Sequence, residues 1–558
     1  MGVISVVLLV ILVVSAILLV LVVLVQDDQG EGLGGIFGGG STTPFGSRSG
    51  NVLTRFTAIL AAVFLFACNH AASAGPAAVT FVIEAHPANL DPRFGTDAQS
   101  QHIDGLIYSS LVLHDDEFRL HGDLAESWET PDPLTYIFHL RRNATFHDGR
   151  RVTSADVKAT FDFMLDPANR SPKRGAFRMV DSIAAPSDDT VVFRLKEPYA
   201  SFLWNMARPA VGIVPADAGA DSPRRFIGSG PFRFVSQRQD DEVILERNLG
   251  YFRGSPKIEG VRFRVVPDAV VRALELRKGS ADIEMSSLPA DMLPPLARRS
   301  ELEVASRPGT NFVYLGANLE DPVLAHREVR QALAFATDRD AMIRYLLGGH
   351  ARIARGILPP NHWAYTADVP AYSTDIPRAE QLLQAAGFPR GPNGVRIHLT
   401  LKTSTDEQAR LIGAALQEQW KHAGIELELR PLELATLLSD ATRGSFQLTL
   451  LRWVGGNNDP AIFDLVFSSK RFPPDGANRG HYRNPRVDFL AQHILLEQDL
   501  QKRKELCAEI QRILADDLPY IPLWFTDVVS VHRRGLGPFE LSPTGDFDFL
   551  ATLRPANR

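Results

Sequence analysis

Few residues of this 558-residue chain have the spacing of a known catalytic or metal-binding motif. Its fifteen histidines invite a metal site, yet the sequence contains no H-E-x-x-H and no C-x-x-C motif. It also lacks the G-x-S-x-G elbow of serine hydrolases and the G-x-x-x-x-G-K-[ST] loop of nucleotide hydrolases. Because a catalytic pocket needs a nucleophile, a base and a stabilising group together, we predict that the chain is not an enzyme and uses no metal or other cofactor.

Two histidine-containing stretches are more typical of structure than of metal binding. His139 and His147 lie on a predicted strand and the turn after it, where they are expected to have a structural role. The stretch His114-Asp115-Asp116-Glu117 has the composition of a ligand cluster, but it also has that of a solvated turn, which is the interpretation we favour.

The segment RWVGGNNDP, Arg452–Pro460, combines an aromatic ring with polar side chains and glycines. Asp459, which stands next to Pro460, has the position of a turn cap.

Cys68 ends an apolar run and is a candidate for acylation, as in a lipoprotein. Leu65-Phe66-Ala67-Cys68 resembles a lipobox, with a bulky phenylalanine as its imperfect member, and Ala72-Ser73-Ala74 is an A-x-A cleavage site. The chain is therefore expected to be cut at Cys68, cut after Ala74, or left intact. The other cysteine, Cys507, lies in KELCAEIQRIL, which predicts a helix, and is expected to be an ordinary packed residue.

Two apolar segments precede these processing marks. Val3–Val25 would be about 35 Å long as a helix, enough to cross a hydrocarbon core of about 30 Å. Residues 26–52 are too rich in glycine for a helix or a strand and are predicted to form a flexible loop. The run Phe56–Cys68 would reach only about 20 Å, which suits an export signal better than a full span. The sequence thus predicts one or two N-terminal transmembrane helices.

From Pro76 onward the chain alternates strand and helix signals. AVTFVIEA (78–85) and TYIFHLR (135–141) are rich in β-branched and aromatic residues and predict strands. Thr153 and Asp156 have the spacing of a helix-opening capping box. Further helices are predicted over His326–Thr337, Asp406–His422 and Lys502–Asp516. This mixture predicts an α/β protein with more than one lobe.

Composition limits the class of partner. A formal net charge of −6 gives the chain no electrostatic footprint for nucleic acid. Hydrophobic residues make up 45% and charged residues 22%, which is ordinary for a globular protein. Two cysteines cannot build a disulfide framework.

The N-terminal segment resembles the SecG family, the small subunit of the bacterial preprotein translocase. The features that match are the first apolar span, FGGG and FGSRSGN in the loop, and LTRFTAILA at the start of the second apolar segment. The resemblance covers roughly residues 1–66 and ends at Cys68, where that family would continue an apolar helix. It implies a SecG-like membrane segment over residues 1–67 (helix 3–25, loop 26–52, second apolar segment 53–68), with a cytoplasmic loop and both ends outside.

The rest of the chain, from about Val79, closely resembles family 5 extracellular solute-binding proteins, the peptide, dipeptide and nickel receptors of ABC importers. Five stretches carry this resemblance: LAESWETPDPLTYIFHLRRNATFHDGRRVTSADVKATFDFML, IGSGPFRF, NLEDPVLAHREVRQALAFATDRDAMI, RWVGGNNDP with HYRNPRVDFL after it, and DLPYIPLWF. It implies a two-lobed periplasmic binding protein fold, of the class with an extra domain, over residues 76–558. Lobe I is expected over 76–112, 227–310 and 525–558, an inserted subdomain over 113–226, and lobe II over 311–524, with hinge strands between the lobes.

The same resemblance raises a question about the ligand. In peptide-binding members, an aspartate shortly after the tryptophan pairs with the free amino group of the ligand, and Gly456 occupies that position here. The resemblance thus implies a ligand-binding site made of Trp453, Gly456, Asn457 and Asp459. A buried solute loses its water, so each of its polar ends needs a partner, and Trp453 is expected either to pack on the solute or to fill the wall of the cleft. The resemblance therefore implies that the ligand lacks a free amine or that another acid, such as Asp459, has taken this role.

The predicted function is that of an extracytoplasmic solute-binding protein in peptide transport. It would capture a peptide or a related small solute and deliver it to ABC permease subunits, with ATP hydrolysis in separate subunits. The alternative is a SecG-type subunit of the protein-export translocase, with export channel subunits as partners and a fused periplasmic binding domain. Both place the large domain in the periplasm, attached to the inner membrane or, after cleavage of the signal peptide, free or lipid-anchored.

Overall fold

The computed structural model describes residues 78–207, 211–218, 226–455 and 457–554. The chain divides into two units after Ala78, and the described residues belong to the second unit, Val79–Arg558, with Ala78 alone from the first. The predictions for residues 1–74, including Cys68 and Ala74, and the prediction for Gly456 lie outside the described residues. Within the described ranges, no helix is both long and apolar enough to cross a membrane.

The described residues form strands throughout their length. These are β1 Val79–Ile83, β2 Val112–His114, β3 Leu120–Gly122, β4 Ala125–Asp132, β5 Thr135–Leu140, β6 Val180–Ser187, β7 Thr190–Leu195, β8 Phe232–Arg238, β9 Glu242–Arg247, β10 Gly260–Val265, β11 Ile283–Met285, β12 Leu302–Ala317, β13 Ala351–Ile353, β14 Ile397–Ser404, β15 Ile425–Leu432, β16 Leu448–Trp453 and β17 Tyr520–Arg533.

Helices alternate with these strands, most densely in the C-terminal half. These are α1 Ala98–Ile107, α2 Ser154–Leu165, α3 Phe202–Met206, α4 Ala269–Lys278, α5 Leu293–Ala297, α6 Arg327–Phe335, α7 Arg339–Leu346, α8 Ile376–Ala385, α9 Glu407–Lys421, α10 Leu434–Thr442, α11 Ile462–Phe467, α12 Pro485–Leu496 and α13 Leu500–Asp517. The predicted α/β class is confirmed by this alternation.

One large sheet runs through both lobes of the molecule. Its strand order is β15-β14-β16-β12-β17-β11-β1-β10-β9-β8, with β13 paired to β17 off this path. Strands β8–β11 and β1 lie in the segments expected to form lobe I, and β14–β16 lie in the segment expected to form lobe II. The long strands β12 and β17 lie between these two groups and belong to both.

The two long strands pair antiparallel in two stretches. Leu302–Arg307 pairs with Val528–Arg533 beside lobe I, and Asn311–Gly316 pairs with Tyr520–Thr526 beside lobe II. The register shifts between these stretches, at residues 307–311, next to the predicted lobe boundary at 310. Gly309 lies in this shift, where a Cβ atom would stand only 2.4 Å from the carbonyl oxygen of Thr526. Such an irregularity bends a strand, so it is a natural place for a hinge.

A separate four-stranded sheet, in the order β4-β5-β7-β6, forms the subdomain inserted after lobe I begins. Tyr136, Phe138 and Leu140 of β5 are all buried, as their alternation predicts. Asp156 accepts hydrogen bonds from the backbone N–H and the hydroxyl of Thr153, so the predicted interaction at the start of α2 is present.

A short break separates α6 from α7. Asp338 caps α7 by accepting from the backbone N–H of Ala341. The Thr337 hydroxyl donates to the Leu333 carbonyl and accepts from the indole N–H of Trp420 at 3.0 Å. Two consecutive polar residues therefore end one helix, begin the next and pin both to α9.

The glycines of IGSGPFRF leave room for a neighbouring helix. In the structure they lie against the end of α1, where a Cβ on Gly228 would stand 2.0 Å from the Ile107 carbonyl oxygen. On Gly230 it would stand 2.5 Å from that of Leu106. What these positions require is the absence of a side chain.

Candidate functional site

The predicted ligand-binding segment follows the end of β16 at the edge of lobe II. Trp453 is the last residue of that strand, pairs with Phe312 of β12 and is half-buried. The Arg479 guanidinium lies 5.8 Å from the centre of its ring. Val454, the next residue, is 56% exposed. The segment thus begins with an aromatic wall that is partly open.

Asn457 has its side-chain NH2 group committed inside the protein. The residue is fully buried, and its amide donates to the carbonyl oxygens of Thr310 and Ile357, both at 2.9 Å. These two bonds fix the segment to the register shift of β12 and to a lobe II loop. In this arrangement the NH2 group of Asn457 positions the segment.

Asp459 is engaged by three groups of the protein. Its carboxylate accepts from the backbone N–H of Ala461, which makes the turn cap expected from the sequence. It also pairs with Arg503 of α13 at 3.1 Å and accepts the hydroxyl hydrogen of Ser201. Arg503 further donates to the Ser201 hydroxyl at 2.7 Å. The carboxylate proposed as a substitute anchor for a ligand amine already has a cationic partner.

Ser201 reaches Asp459 from the inserted subdomain. It precedes α3, whose Phe202 and Met206 belong to the core of that subdomain. Beside it, the backbone N–H of Ala200 donates to the carbonyl of Leu495 in α12 at 2.7 Å. We call Ser201, Asp459 and Arg503 the clasp. It joins the subdomain to lobe II through residues that are far apart in sequence.

The loop between β2 and β3 makes a second contact with lobe II. Asp115 accepts from the backbone N–H groups of Glu117 and Arg119, so the predicted turn is present. Asp116, however, pairs with Arg307 of β12 at 2.7 Å, and its carbonyl accepts from the Asn361 side chain. This loop is therefore a contact with the hinge strand as well as a turn.

Phe118 completes this second contact. It is fully buried and has a φ of 63°, a backbone conformation that non-glycine residues rarely adopt. Its ring stacks on His362 of lobe II, with ring centres 5.2 Å apart. The cost of this backbone conformation is offset by the stacked, buried ring.

His362 stays neutral at this contact. Burial lowers the pKa of its ring to about 4. Its Nδ1 accepts from the backbone N–H of Ala364 at 3.0 Å, which places the proton on Nε2, 3.1 Å from the Asn458 carbonyl. The ring therefore links the predicted ligand-binding segment to the aromatic contact with Phe118.

A polar cavity of about 390 Å³ lies on the lobe I side of the β2–β3 loop. Asp123 and Asp548 line it, and burial raises the pKa of Asp123 to about 6. Arg253, 3.5 Å from Asp123, opposes the rise at that residue.

The histidines that the sequence assigned to structural roles lie in the subdomain. His147 accepts from the backbone N–H of Gly228 and lies 3.1 Å from the Gly230 carbonyl, and burial lowers its pKa to about 4. His139 is 3.0 Å from Glu129. In the part of the chain that the structure describes, no group of histidine, cysteine and acidic residues is arranged to hold a metal ion.

Residues 119–472 match the model of the bacterial extracellular solute-binding proteins, family 5. The chain belongs to this family. Members of family 5 bind peptides or other small solutes outside the cytoplasm and deliver them to ABC permeases, so the predicted class of function is confirmed. The family's two-lobed fold agrees with the sheet that β12 and β17 share between the lobes.

Relatives of known activity support this membership. A glutathione-binding protein from Pectobacterium atrosepticum is 29% identical over 475 residues, which cover 83% of this chain and 91% of the relative. The dipeptide-binding protein of Escherichia coli is 27% identical over 518 residues, covering 87% and 96%. The solved ABC transporter substrate-binding protein CtaP from Listeria monocytogenes superposes with a TM-score of 0.78 at 25% identity, covering 86% and 100%. These family 5 relatives are transport receptors rather than enzymes.

A second family model, that of the preprotein translocase SecG subunit, matches residues 5–78. The predicted SecG resemblance is confirmed by this match. The match continues past Cys68, so it extends further than the predicted range of residues 1–66.

Proposed function

We propose that this family 5 protein captures a peptide-like or other small solute on the periplasmic side of the inner membrane and delivers it to ABC permease subunits. The observation that carries the proposal is the clasp, in which Ser201 of the subdomain donates to Asp459 of lobe II. A two-lobed receptor holds its solute by closing over it and releases it by opening. Polar groups that meet only when the parts are in contact stabilise the closed form.

The proposed role of Asp459 is closure rather than recognition of an amine. Its carboxylate is 13% exposed, and its partner Arg503 is 4% exposed. An ammonium group on the solute would have to compete with this buried guanidinium. With glycine at 456, the segment 453–459 offers no other carboxylate. We therefore propose that the solute has no free amine held by this segment, and that Trp453 packs against it.

The identity of the solute is tested by denaturing the purified chain and analysing the released small molecules by mass spectrometry. One compound in stoichiometric amount is the expected result. Finding none in protein purified from its own cells, together with no binding to a panel of peptides and other small solutes, would contradict a capture function.

Ser201→Ala tests the clasp with that compound. The variant removes the two hydrogen bonds that the Ser201 hydroxyl makes with Asp459 and Arg503, so we expect affinity to fall by about tenfold or more. Ser182→Ala changes an exposed serine of the same subdomain and is the matched control, with unchanged affinity. Equal affinities in both variants would show that Ser201 does not stabilise the closed form.

Gly456→Asp tests the chemistry of the site. If the cleft has kept the shape of a peptide site, the added carboxylate should raise affinity for dipeptides with a free amine by about tenfold or more. N-acetylated dipeptides are the control and should gain nothing. No gain for the free amines would show that the missing acid does not limit amine recognition here.

A second proposed function follows from the match of residues 5–78 to the SecG subunit model. The chain would then be a translocase subunit whose binding domain lies in the periplasm. The intact mass of the membrane-extracted protein separates the cases. A mature chain that starts at Cys68 or Gly75 leaves the receptor without the SecG-like part. A full-length chain that copurifies with export channel subunits supports the fusion.

A further inference from the structure

The buried arginines differ in how many hydrogen-bond acceptors the protein supplies to each guanidinium. Five arginines among the described residues are buried: Arg93, Arg272, Arg330, Arg339 and Arg503. Arg330 donates five hydrogen bonds to backbone carbonyls, and Arg272 donates three. Arg93 pairs with Asp91, and Arg503 pairs with Asp459. In these four, burial of the charge is balanced by several acceptors.

Arg339, at the start of α7, is the exception. It is 5% exposed, yet within the described ranges its guanidinium donates one hydrogen bond, to the Pro522 carbonyl at 3.1 Å, and forms no ion pair. A guanidinium has five N–H donors, and leaving a buried charge without acceptors is costly. Burial lowers its pKa to about 10, so the group is still cationic at neutral pH.

A pocket of about 220 Å³ adjoins Arg339. Arg355, Ser373 and Thr374 also line it. One carboxylate, Asp340, also lines it, so the charged side chains of the lining sum to one positive charge. Since a water molecule occupies roughly 30 Å³ of liquid, the pocket has room for a small ion with part of its hydration shell.

We propose that this pocket binds a small oxyanion, a carboxylate, phosphate or sulfate group, between Arg339 and Arg355. The planar fork of a guanidinium matches two oxygens of such a group. None of residues 453–459 lines the pocket, so it is separate from the predicted solute segment. It lies instead against β13 and the Pro522 region of β17, one of the two strands shared by the lobes.

Isothermal titration of the full chain with inorganic phosphate, sulfate and acetate tests the site. We expect saturable 1:1 binding of at least one of these ions, with a dissociation constant of about 1 mM or lower. Comparing acetate with the two inorganic ions separates a carboxylate site from a phosphate or sulfate site. Absence of saturable binding for all three would overturn the proposal.

Three variants locate the binding. Arg355→Gln changes an exposed residue and should weaken binding about tenfold without affecting the fold. Asp340→Asn removes the opposing charge and should tighten binding. Arg344→Gln, an exposed arginine of the same helix that does not line the pocket, should leave the affinity unchanged. Equal affinity in Arg355→Gln and Arg344→Gln would place any bound anion elsewhere on the protein.

Discussion

Arg503 and Arg339 are both buried guanidinium groups of lobe II, but they differ in what surrounds them. Arg503 meets a carboxylate, a hydroxyl and a carbonyl, all supplied by the chain. Arg339 meets one carbonyl and an open pocket. The polar side chain of a sequence motif, Asp459, is thus already paired within the protein. The guanidinium with donors still available, that of Arg339, lies outside the predicted ligand-binding segment.

Replacing each arginine with methionine should give the largest contrast. Arg503→Met leaves Asp459 as a buried carboxylate without its cationic partner, which should lower the free energy of unfolding by about 3–5 kcal/mol. Arg339→Met removes a charge that has little compensation, so its effect should stay within about 1 kcal/mol. Urea unfolding monitored by circular dichroism measures both. Equal losses would contradict the contrast.

The second-largest effect is expected on acidification, which should destabilise the contact around His362. Its pKa in the folded state is about 4, below the value of about 6.5 expected when unfolded. Between these values the unfolded state binds the additional proton, so stability falls as pH drops from about 6.5 to about 4. Between pH 7 and 4.5, the wild type should lose about 2–3 kcal/mol more than His362→Gln. Equal losses in the wild type and in His362→Gln would contradict this role of His362.

Asn457→Ala should have an intermediate effect. It leaves the buried carbonyl groups of Thr310 and Ile357 without their donor, so we expect a loss of about 1–3 kcal/mol in denaturant unfolding. Asn361→Ala removes an exposed amide that also bonds a carbonyl, and it should cost less. If Asn361→Ala lowered the free energy of unfolding more than Asn457→Ala, Asn457 would not be the residue that holds the segment in place.

The smallest effect is expected at Asp116. Its pair with Arg307 is 37–51% exposed, so Asp116→Asn should cost less than about 1 kcal/mol at low salt. Because salt screens exposed charges, the difference from wild type should shrink further in 1 M NaCl. An effect as large as that of Arg503→Met would show that the contact with the hinge strand and the clasp have equal weight.

Local patterns in the sequence predicted much of the fold. The alternation in TYIFHLR predicted β5, and the three predicted helices lie within two residues of α6, α9 and α13. Each of these features depends on neighbours in the chain, whose spacing the sequence displays directly.

The contacts of the site could not be predicted in the same way. Ser201 is 258 residues from Asp459, and Asp116 pairs with Arg307 across two domains of the sequence. No period or motif connects such positions. Asp459 was correctly expected to cap a turn, but nothing near it in sequence indicates Arg503. The predicted roles of Trp453 and Gly456 in binding remain predictions.

The position of β17 has a consequence for synthesis on the ribosome. It is the last strand in chain order among the described residues, yet it lies in the middle of the large sheet, between β12 and β11. Until Tyr520–Arg533 have left the exit tunnel, a nascent chain presents two unpaired strand edges that nothing covers. Unpaired strand edges can pair with other chains and aggregate. A chaperone that holds the polypeptide extended until translation ends would therefore protect both halves of the sheet from aggregation.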